Sequence, residues 1–309
     1  MSQTVAPISN RPVEDLLPAA TAMGSVTLLV GDLDLMTAYY RDGVMLQVLR
    51  AEGDEVSLGR HGVELLVLRH DPSLPPGSPR SAGLFHTAFL FEDHASLAAV
   101  VASLAVRAPR TFAGSSDHLV SEAFYFTDPE GNGVELYVDR PRESWVWTGD
   151  RVKQVAMATN YLDPNRFLAE HLTDEARDLV ATTDRKLPAT LPGAVVGHVH
   201  LQVGDVPTAR DFYVAKLGFE ETTTYGTQAL FVAAGGYHHH MAMNTWNSAG
   251  AGPRVPALGL GTVDIILPTA QDVAALSDRM RGHGVDVRHN GAVVRLNDPW
   301  NNLIEVRAA

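Results

Sequence analysis

Short apolar–polar alternations, each followed by a helical pattern, recur along this chain and divide it into repeats. The segment Ser-Val-Thr-Leu-Leu-Val-Gly-Asp, which starts at Ser25, returns as His-Val-His-Leu-Gln-Val-Gly-Asp at His198, an offset of 173 residues. Each copy predicts a strand, a turn whose Asp caps a helix, and a short helix with two aromatic side chains. Related strand–helix starts occur at His86 and Thr262. The chain therefore contains four copies of one motif.

Two of the copies also end alike, in a tight turn followed by a short strand. Asp-Pro-Glu-Gly-Asn-Gly-Val-Glu runs from Asp128 to Glu135, and Asp-Pro-Trp-Asn-Asn-Leu-Ile-Glu runs from Asp298 to Glu305. Together these elements predict an α+β fold of four βαβββ units. The predicted units span residues 24–70, 84–140, 196–246 and 260–308.

The units group into two pairs along the chain. The predicted boundaries are 1–23 for an N-terminal extension, 24–140 for the first pair of units, 141–195 for a connector, and 196–309 for the second pair. The connector contains an Asp-Pro dipeptide at Asp163 and a helical pattern that continues to about residue 180.

The composition limits the partners and the metal ligands that this protein can have. The 309 residues carry 36 acidic and 24 basic side chains without a long Lys/Arg run, which argues against a nucleic-acid partner. No segment approaches the roughly 20 apolar residues of a membrane span, and no signal-peptide pattern is present, so we expect a cytoplasmic protein without a membrane partner. The chain has no cysteine and 13 histidines, so any metal must be held by His, Asp and Glu.

The repeats and their shared endings resemble the vicinal oxygen chelate superfamily, which includes glyoxalases, bleomycin and fosfomycin resistance proteins, and extradiol dioxygenases. The resemblance implies that paired units form two half-closed mixed β-sheet cavities, with metal ligands on the first and last strands of each unit. It leaves the reaction open, because this fold supports many chemistries.

The residues at the implied ligand positions differ between units. The first strands carry, in chain order, Ser25, His86, His198 and Thr262. The last strands carry Glu64, Glu135, the run His238–His240, and Glu305. Only the pairing of units two and three collects two first-strand histidines and a carboxylate around one cavity.

Two histidines and one carboxylate make a facial triad, which is typical of non-haem Fe(II) enzymes because one face of the metal stays free for substrate and dioxygen. We therefore expect Fe(II), with Mn(II) as the alternative, bound by His86, His198 and Glu135. The two imidazoles must then place their donor nitrogens within about 6 Å of each other, since the bonds to the metal are about 2.0–2.2 Å long. Units one and four would pair around a metal-free cavity lined by Ser25 and Thr262.

A longer motif indicates the reaction. The stretch from Asp117 to Glu135 resembles the extradiol ring-cleavage dioxygenase signature, and the one departure lies two residues before His118, where Ser116 replaces the usual Gly, Asn, Thr, Ile or Val. The resemblance implies that Tyr125 hydrogen-bonds a substrate or metal-bound oxygen and that His118 lies just outside the direct ligands.

The run of three histidines supplies the predicted acid–base group. The resemblance to the last strand of extradiol enzymes implies that His239 is the catalyst, with His240 as the next candidate. Strand alternation places His238 and His240 on one face and His239 on the other, and it leaves open which face meets the cavity.

The chain most closely resembles the bacterial catechol 2,3-dioxygenase-like subgroup, through Asp-His-Leu-Val-Ser-Glu-Ala at 117–123 and Gly-Tyr-His-His-His at 236–240. This implies an extradiol (meta-cleavage) dioxygenase of aromatic catabolism that acts on a small aromatic diol and O₂. Two alternatives remain: a glyoxalase-type isomerase with four ligands around Ni(II) or Zn(II), and a resistance-type protein that binds an aromatic compound. The sequence leaves room for a homo-oligomer.

Other polar positions have simpler expected roles. Glu64 and Glu305 lack histidine partners, so we expect structural or surface roles for both. Asp93 and Asp205 are predicted helix caps. His200 lies two residues beyond a predicted ligand, a position compatible with plain packing and with contact to the ligand set.

Overall fold

The computed structural model describes residues 11–149, 153–181 and 192–309. Each predicted unit folds as a strand, a helix and three further strands, which confirms the α+β fold of four βαβββ units. The first unit comprises β1 (Ala22–Val30), α1 (Leu33–Ala38), β2 (Gln47–Glu52), β3 (Glu55–Arg60) and β4 (Val63–His70). The second comprises β5 (Gly83–Phe91), α2 (His94–Arg107), β6 (Phe112–Asp117), β7 (Ser121–Thr127) and β8 (Gly133–Asp139).

The second half of the chain repeats this order after a connecting segment. That segment contains β9 (Trp147–Thr148), β10 (Gln154–Val155), β11 (Asn160–Tyr161), α3 (Pro164–His171) and α4 (Asp174–Ala181). The third unit comprises β12 (Ala194–Gln202), α5 (Val206–Arg210), β13 (Glu220–Tyr225), β14 (Ala229–Ala233) and β15 (Met241–Asn244). The fourth comprises β16 (Gly259–Leu267), α6 (Ala270–Gly282), β17 (Arg288–Asn290), β18 (Val293–Asn297) and β19 (Leu303–Ala308).

The two large sheets each combine one unit from either half of the chain. One sheet has the strand order β17-β18-β19-β16-β1-β4-β3-β2, so units one and four meet at the antiparallel pair β1–β16. The other has the order β11-β6-β7-β8-β5-β12-β15-β14-β13, so units two and three meet at the antiparallel pair β5–β12. This is the pairing that the positions of the first-strand histidines predict.

Local capping follows the sequence closely. The Asp93 carboxylate accepts a hydrogen bond from the Ser96 amide at 2.8 Å, and the Asp205 carboxylate accepts one from the Thr208 amide at 2.7 Å. Both residues therefore cap their helices as predicted, since each satisfies an amide that has no partner within the helix. Strand β1 begins two residues before the predicted start of its unit.

The shared Asp-Pro turns are built from the same contacts in both copies. The Asp128 carboxylate accepts hydrogen bonds from the backbone and side-chain nitrogens of Asn132 and from the Tyr40 hydroxyl at 2.8 Å. The Asp298 carboxylate accepts equivalent bonds from its own turn and from the Tyr213 hydroxyl at 2.8 Å. Each turn thus fixes the start of the last strand of its unit to the helix of the preceding unit.

The first strands of all four units share one apolar core. Val26, Phe89, Val199 and Val263, one from each first strand, are buried in the same cluster. Packing on the core therefore holds the central strands of both sheets in place. No helix in residues 11–149, 153–181 or 192–309 combines the length and apolar character needed to cross a bilayer.

Candidate metal centre and its cavity

Three adjacent strands bring the predicted ligands together on one sheet face. Glu135 lies on β8 and His198 on β12, and both are opposite Ala88 of the intervening strand β5. His86 precedes Ala88 by two residues, so it projects from the same face of that strand. The small methyl side chain of Ala88 leaves the space between the three larger side chains open.

The three donor atoms form a nearly equilateral triangle. Nε2 of His86 lies 2.9 Å from Oε2 of Glu135, and Nε2 of His198 lies 3.1 Å from the same oxygen. The two nitrogens are 3.3 Å apart. The two histidine nitrogens therefore lie well within the predicted distance, and among the described residues this is the one group of three or more His, Asp or Glu with metal-binding spacing.

The size of this triangle fits one face of an octahedron. With bonds of about 2.0–2.2 Å, neighbouring octahedral donors lie about 2.8–3.1 Å apart, whereas tetrahedral donors lie about 3.3–3.6 Å apart. Two of the three distances fall in the octahedral range, and the third lies at the lower tetrahedral limit. An N₂O donor set on one octahedral face suits Fe(II) or Mn(II) and leaves the other positions for substrate.

Burial sets the protonation of these groups. Burial lowers the pKa of His198 to about 4, more than the neighbouring Glu135 charge raises it, so the imidazole is neutral at pH 7. Burial by itself raises the pKa of Glu135, yet the His198 and His86 imidazoles outweigh it and hold the pKa well below its usual range. Neutral imidazole and carboxylate are the forms in which these side chains bind metals.

The triad lines a cavity of about 440 Å³. Its walls are mainly aromatic and apolar and include Phe85, Met157, Tyr225, Phe231 and Trp246. Among the described residues, no Lys or Arg lines this cavity, and Glu135 is its one carboxylate. A cavity of this size and character suits a small, flat, uncharged ring.

Tyr125 and His118 lie together at the cavity wall, as the motif predicts. Nδ1 of His118 lies 2.6 Å from the carbonyl oxygen of Ala158 and therefore carries the proton. With one proton on the ring, Nε2 of His118 accepts a hydrogen bond from the Tyr125 hydroxyl, at 2.6 Å. Burial, and next the Glu135 charge, raises the pKa of Tyr125, so the phenol stays protonated. The Tyr125 oxygen keeps its lone pairs for a donor in the cavity.

The expectation that His238–His240 lie on the last strand of the third unit is wrong. These residues do not lie on the last strand, because Gly235 and Gly236 adopt positive φ and turn the chain, and β15 starts only after the run. Simple alternation therefore does not apply. His239 lines the cavity, with its ring centroid 4.0 Å from that of His198.

His240 is not brought to the cavity, so the structure does not support its place as the second acid–base candidate. Its Nδ1 accepts a hydrogen bond from the Ala234 amide, and its ring packs on Phe219 and Tyr237. The turn that presents His239 to the cavity directs His240 into this neighbouring packing. His238 lies beneath His239 and is fully buried.

His200 lines the cavity beside the triad without joining it. Its Nε2 accepts a hydrogen bond from the Asn244 amide at 3.0 Å, and its ring centroid lies 4.9 Å from that of His86. The sequence did not identify Phe231 or Trp246 as cavity walls. The chain gives no local signal for these contacts, because both residues are distant in sequence from the predicted first-strand ligands and reach the site only in the folded chain.

The second sheet has different chemistry at the equivalent positions. Ser25 and Thr262 line its smaller cavity, as predicted, together with charged side chains. Glu64 accepts a hydrogen bond from the Ser25 hydroxyl at 3.0 Å, and Glu305 pairs with Arg295 at 2.6 Å. These carboxylates are engaged within the protein, in keeping with the structural roles expected for them.

Comparison with known proteins places the chain in a family. Residues 195–306 match the model of the Glyoxalase/Bleomycin resistance protein/Dioxygenase superfamily. The chain is also 35% identical, over 284 residues, to catechol-2,3-dioxygenase of Bacillus subtilis (strain 168), a match that covers 90% of this chain and 94% of that protein. The protein therefore belongs to this superfamily, the vicinal oxygen chelate superfamily.

Solved structures show the same fold at low sequence identity. The crystal structure of a Bacillus subtilis protein is 12% identical in sequence to this chain, with a TM-score of 0.59. The match covers 93% of this chain and 84% of that chain. Glyoxalase I from Zea mays is 14% identical with a TM-score of 0.53, covering 94% of this chain and 92% of that chain. These similarities establish the fold only, so the reaction must be inferred from the residues of the site.

Proposed function

We propose that this protein is an extradiol dioxygenase, which opens the ring of a catechol-type diol with O₂ at a non-haem Fe(II), with Mn(II) as the alternative metal. The observation that carries the proposal is the buried face of three donors, His86, His198 and Glu135, opening into an uncharged aromatic cavity. The 35% identity to a catechol-2,3-dioxygenase supports the same reaction class. A metal bound there would supply open positions for the diol and O₂ and a route for electron density between them.

The residues around the triad suit the proton transfers of this reaction. Burial, and next the neighbouring imidazoles, lowers the pKa of His239 well below its usual range, so its ring is neutral and offers a lone pair to the proton of a diol hydroxyl. The Tyr125 oxygen, whose own proton is donated to His118, accepts a hydrogen bond from the substrate. The aromatic walls hold the ring by stacking and exclude water.

The donor count favours the dioxygenase over the isomerase. A glyoxalase-type site needs four protein ligands, whereas the described residues gather three donors within metal-binding distance. Three donors leave enough open positions for a bidentate diol and O₂ on an octahedral metal. The same donors argue against a purely sequestering protein, which has no need of a metal. The sequence-based expectation of a cytoplasmic enzyme belongs to the same proposal.

An oxygen electrode tests the proposal. Protein loaded with Fe(II) under anaerobic conditions should consume O₂ when catechol is added, and His239→Ala should lower turnover by about 10²–10⁴-fold without loss of metal. Catechol without O₂ uptake, together with tightly bound zinc and isomerase activity, would favour the glyoxalase alternative. Loss of metal in His239→Ala would instead make this residue a ligand.

A further inference from the structure

The cavity histidine His239 is the first member of a buried hydrogen-bonded chain. Its Nδ1 lies 2.7 Å from Nδ1 of His238, and Nε2 of His238 lies 2.8 Å from Oδ1 of Asp139. The His238 side chain between them is 0% exposed. Within the described residues, Nε2 of His239 has no hydrogen-bond partner and is left for the cavity.

When each of the two imidazoles carries one proton, donor counting gives the direction of both hydrogen bonds. The Asp139 carboxylate can only accept, so His238 must carry its proton on Nε2 and donate it. Nδ1 of His238 then has no proton, and its lone pair accepts a hydrogen bond from the Nδ1–H of His239. His239 in this tautomer has its proton on the buried side and a lone pair on Nε2.

The fold holds both partners in place from different elements. Asp139 is the last residue of β8, the strand that carries the metal-binding Glu135. The His238 ring is packed against Tyr237 and Trp145, with ring centroids 4.1 and 5.1 Å away. Asp139 also borders a separate outer cleft, where 22% of its side chain is exposed. The hydrogen-bonded chain thus joins the cavity to this outer cleft at the end of β8.

We infer that Asp139 and His238 are positioning residues that hold His239 in the one tautomer able to take a proton from the substrate. The inference rests on the proposed function and extends it to two residues outside the cavity. In the step they support, the diol O–H bond breaks and an N–H bond forms at Nε2 of His239. The resulting positive charge is stabilised through His238 by the Asp139 carboxylate.

Asp139→Asn tests this arrangement with little change of shape. An amide nitrogen donating to Nε2 of His238 would move the His238 proton to Nδ1, which would reverse the bond to His239 and place a proton on its Nε2. We expect kcat for catechol to fall about 10²–10⁴-fold, as when a base is held in the wrong tautomer, with KM changed by less than about threefold and Fe content unchanged. Glu92→Gln is the matched control, because Glu92 lines the same outer cleft without contacting His238.

A pair of His238 variants tests the same point by a different route. Asn at position 238 keeps an acceptor where Nδ1 of the imidazole lies, whereas Leu removes it. His238→Asn should therefore retain at least about tenfold more kcat than His238→Leu. The absorbance of bound 4-nitrocatechol reports its ionisation, and it should show less proton loss in His238→Leu and Asp139→Asn than in wild type.

The possible failures are distinguishable. If wild-type protein with full Fe content neither binds 4-nitrocatechol nor oxidises catechol, the proposed function fails. If wild type is active and Asp139→Asn matches Glu92→Gln in kcat and in the 4-nitrocatechol spectrum, the positioning role is overturned. Should Asp139→Asn not fold, equal kcat in His238→Asn and His238→Leu would overturn it instead.

Discussion

The geometry of the metal centre predicts how much the substitution His198→Ala weakens metal binding. This substitution removes one corner of a triangle whose sides are 2.9, 3.1 and 3.3 Å, and it leaves only His86 and Glu135 as donors. Changes to groups that merely orient metal ligands cost about 10–100-fold in affinity, so losing a ligand should raise Kd at least about 100-fold. That change corresponds to about 2.7 kcal/mol.

The effect is measurable as metal-dependent stability. At free Fe(II) or Mn(II) 100 times the wild-type Kd, binding stabilises the wild type by about 2.7 kcal/mol, whereas a variant with a 100-fold weaker site gains only about 0.4 kcal/mol. Denaturant unfolding with and without metal gives this gain for each protein. Each variant is compared with itself, with and without metal. The stability that it loses because the missing imidazole leaves a cavity therefore cancels.

Two controls make the prediction specific. His200→Ala removes another buried imidazole of the same strand, one that is hydrogen-bonded to Asn244. This variant should keep most of the metal-dependent gain in stability. Glu305→Gln changes the repeat-equivalent carboxylate of the other sheet and should keep all of it. The assignment is refuted if His198→Ala retains the wild-type gain, or if Glu305→Gln loses it.

Three further outcomes follow from buried hydrogen bonds and buried histidines. Tyr125→Phe should lower kcat/KM for catechol about 10–100-fold with unchanged metal content, because the bond to His118 is lost; steady-state kinetics showing no change would contradict this. Tyr40→Phe should cost about 1.5–3 kcal/mol of unfolding free energy by removing the bond to Asp128, while the control Tyr161→Phe, 80% exposed, should cost under about 0.5 kcal/mol. Below about pH 6.5 the unfolded chain binds protons that burial denies to four folded histidines, so the stability of the metal-free protein should fall with decreasing pH by up to about 5 kcal/mol per unit, and flat denaturation midpoints from pH 6.5 to 5 would contradict this. These histidines, whose pKa burial lowers, are His198, His200, His239 and His240, the first to about 4 and the last to about 3.

The sequence predicted the parts of the site that repeat. First-strand positions recur at fixed places in each unit, so the survival of His86 and His198 in units two and three alone was enough to predict how the units pair. The turn at Asp128 fixes the start of β8, so the position of Glu135 on that strand could also be predicted from the sequence. Strand register then brings these three donors together.

The rest of the site depends on irregular backbone and distant contacts. Gly235 and Gly236 bend the chain before the histidine run, and strand periodicity carries no information about residues in such a turn. The cavity walls formed by Met157 and Trp246 come from the connecting segment and from beyond β15, and only the folded chain shows that they meet. The same holds for Asp139, which lies 99 residues before its partner His238.

Isotope labelling tests the central claim most directly. Fe(II)-loaded protein, supplied with catechol under ¹⁸O₂, should release a ring-opened semialdehyde that contains two ¹⁸O atoms, and His86→Ala should release none. A product that carries no ¹⁸O, or the absence of any O₂-dependent product from fully metal-loaded wild type, would contradict the assignment of this chain as an extradiol dioxygenase.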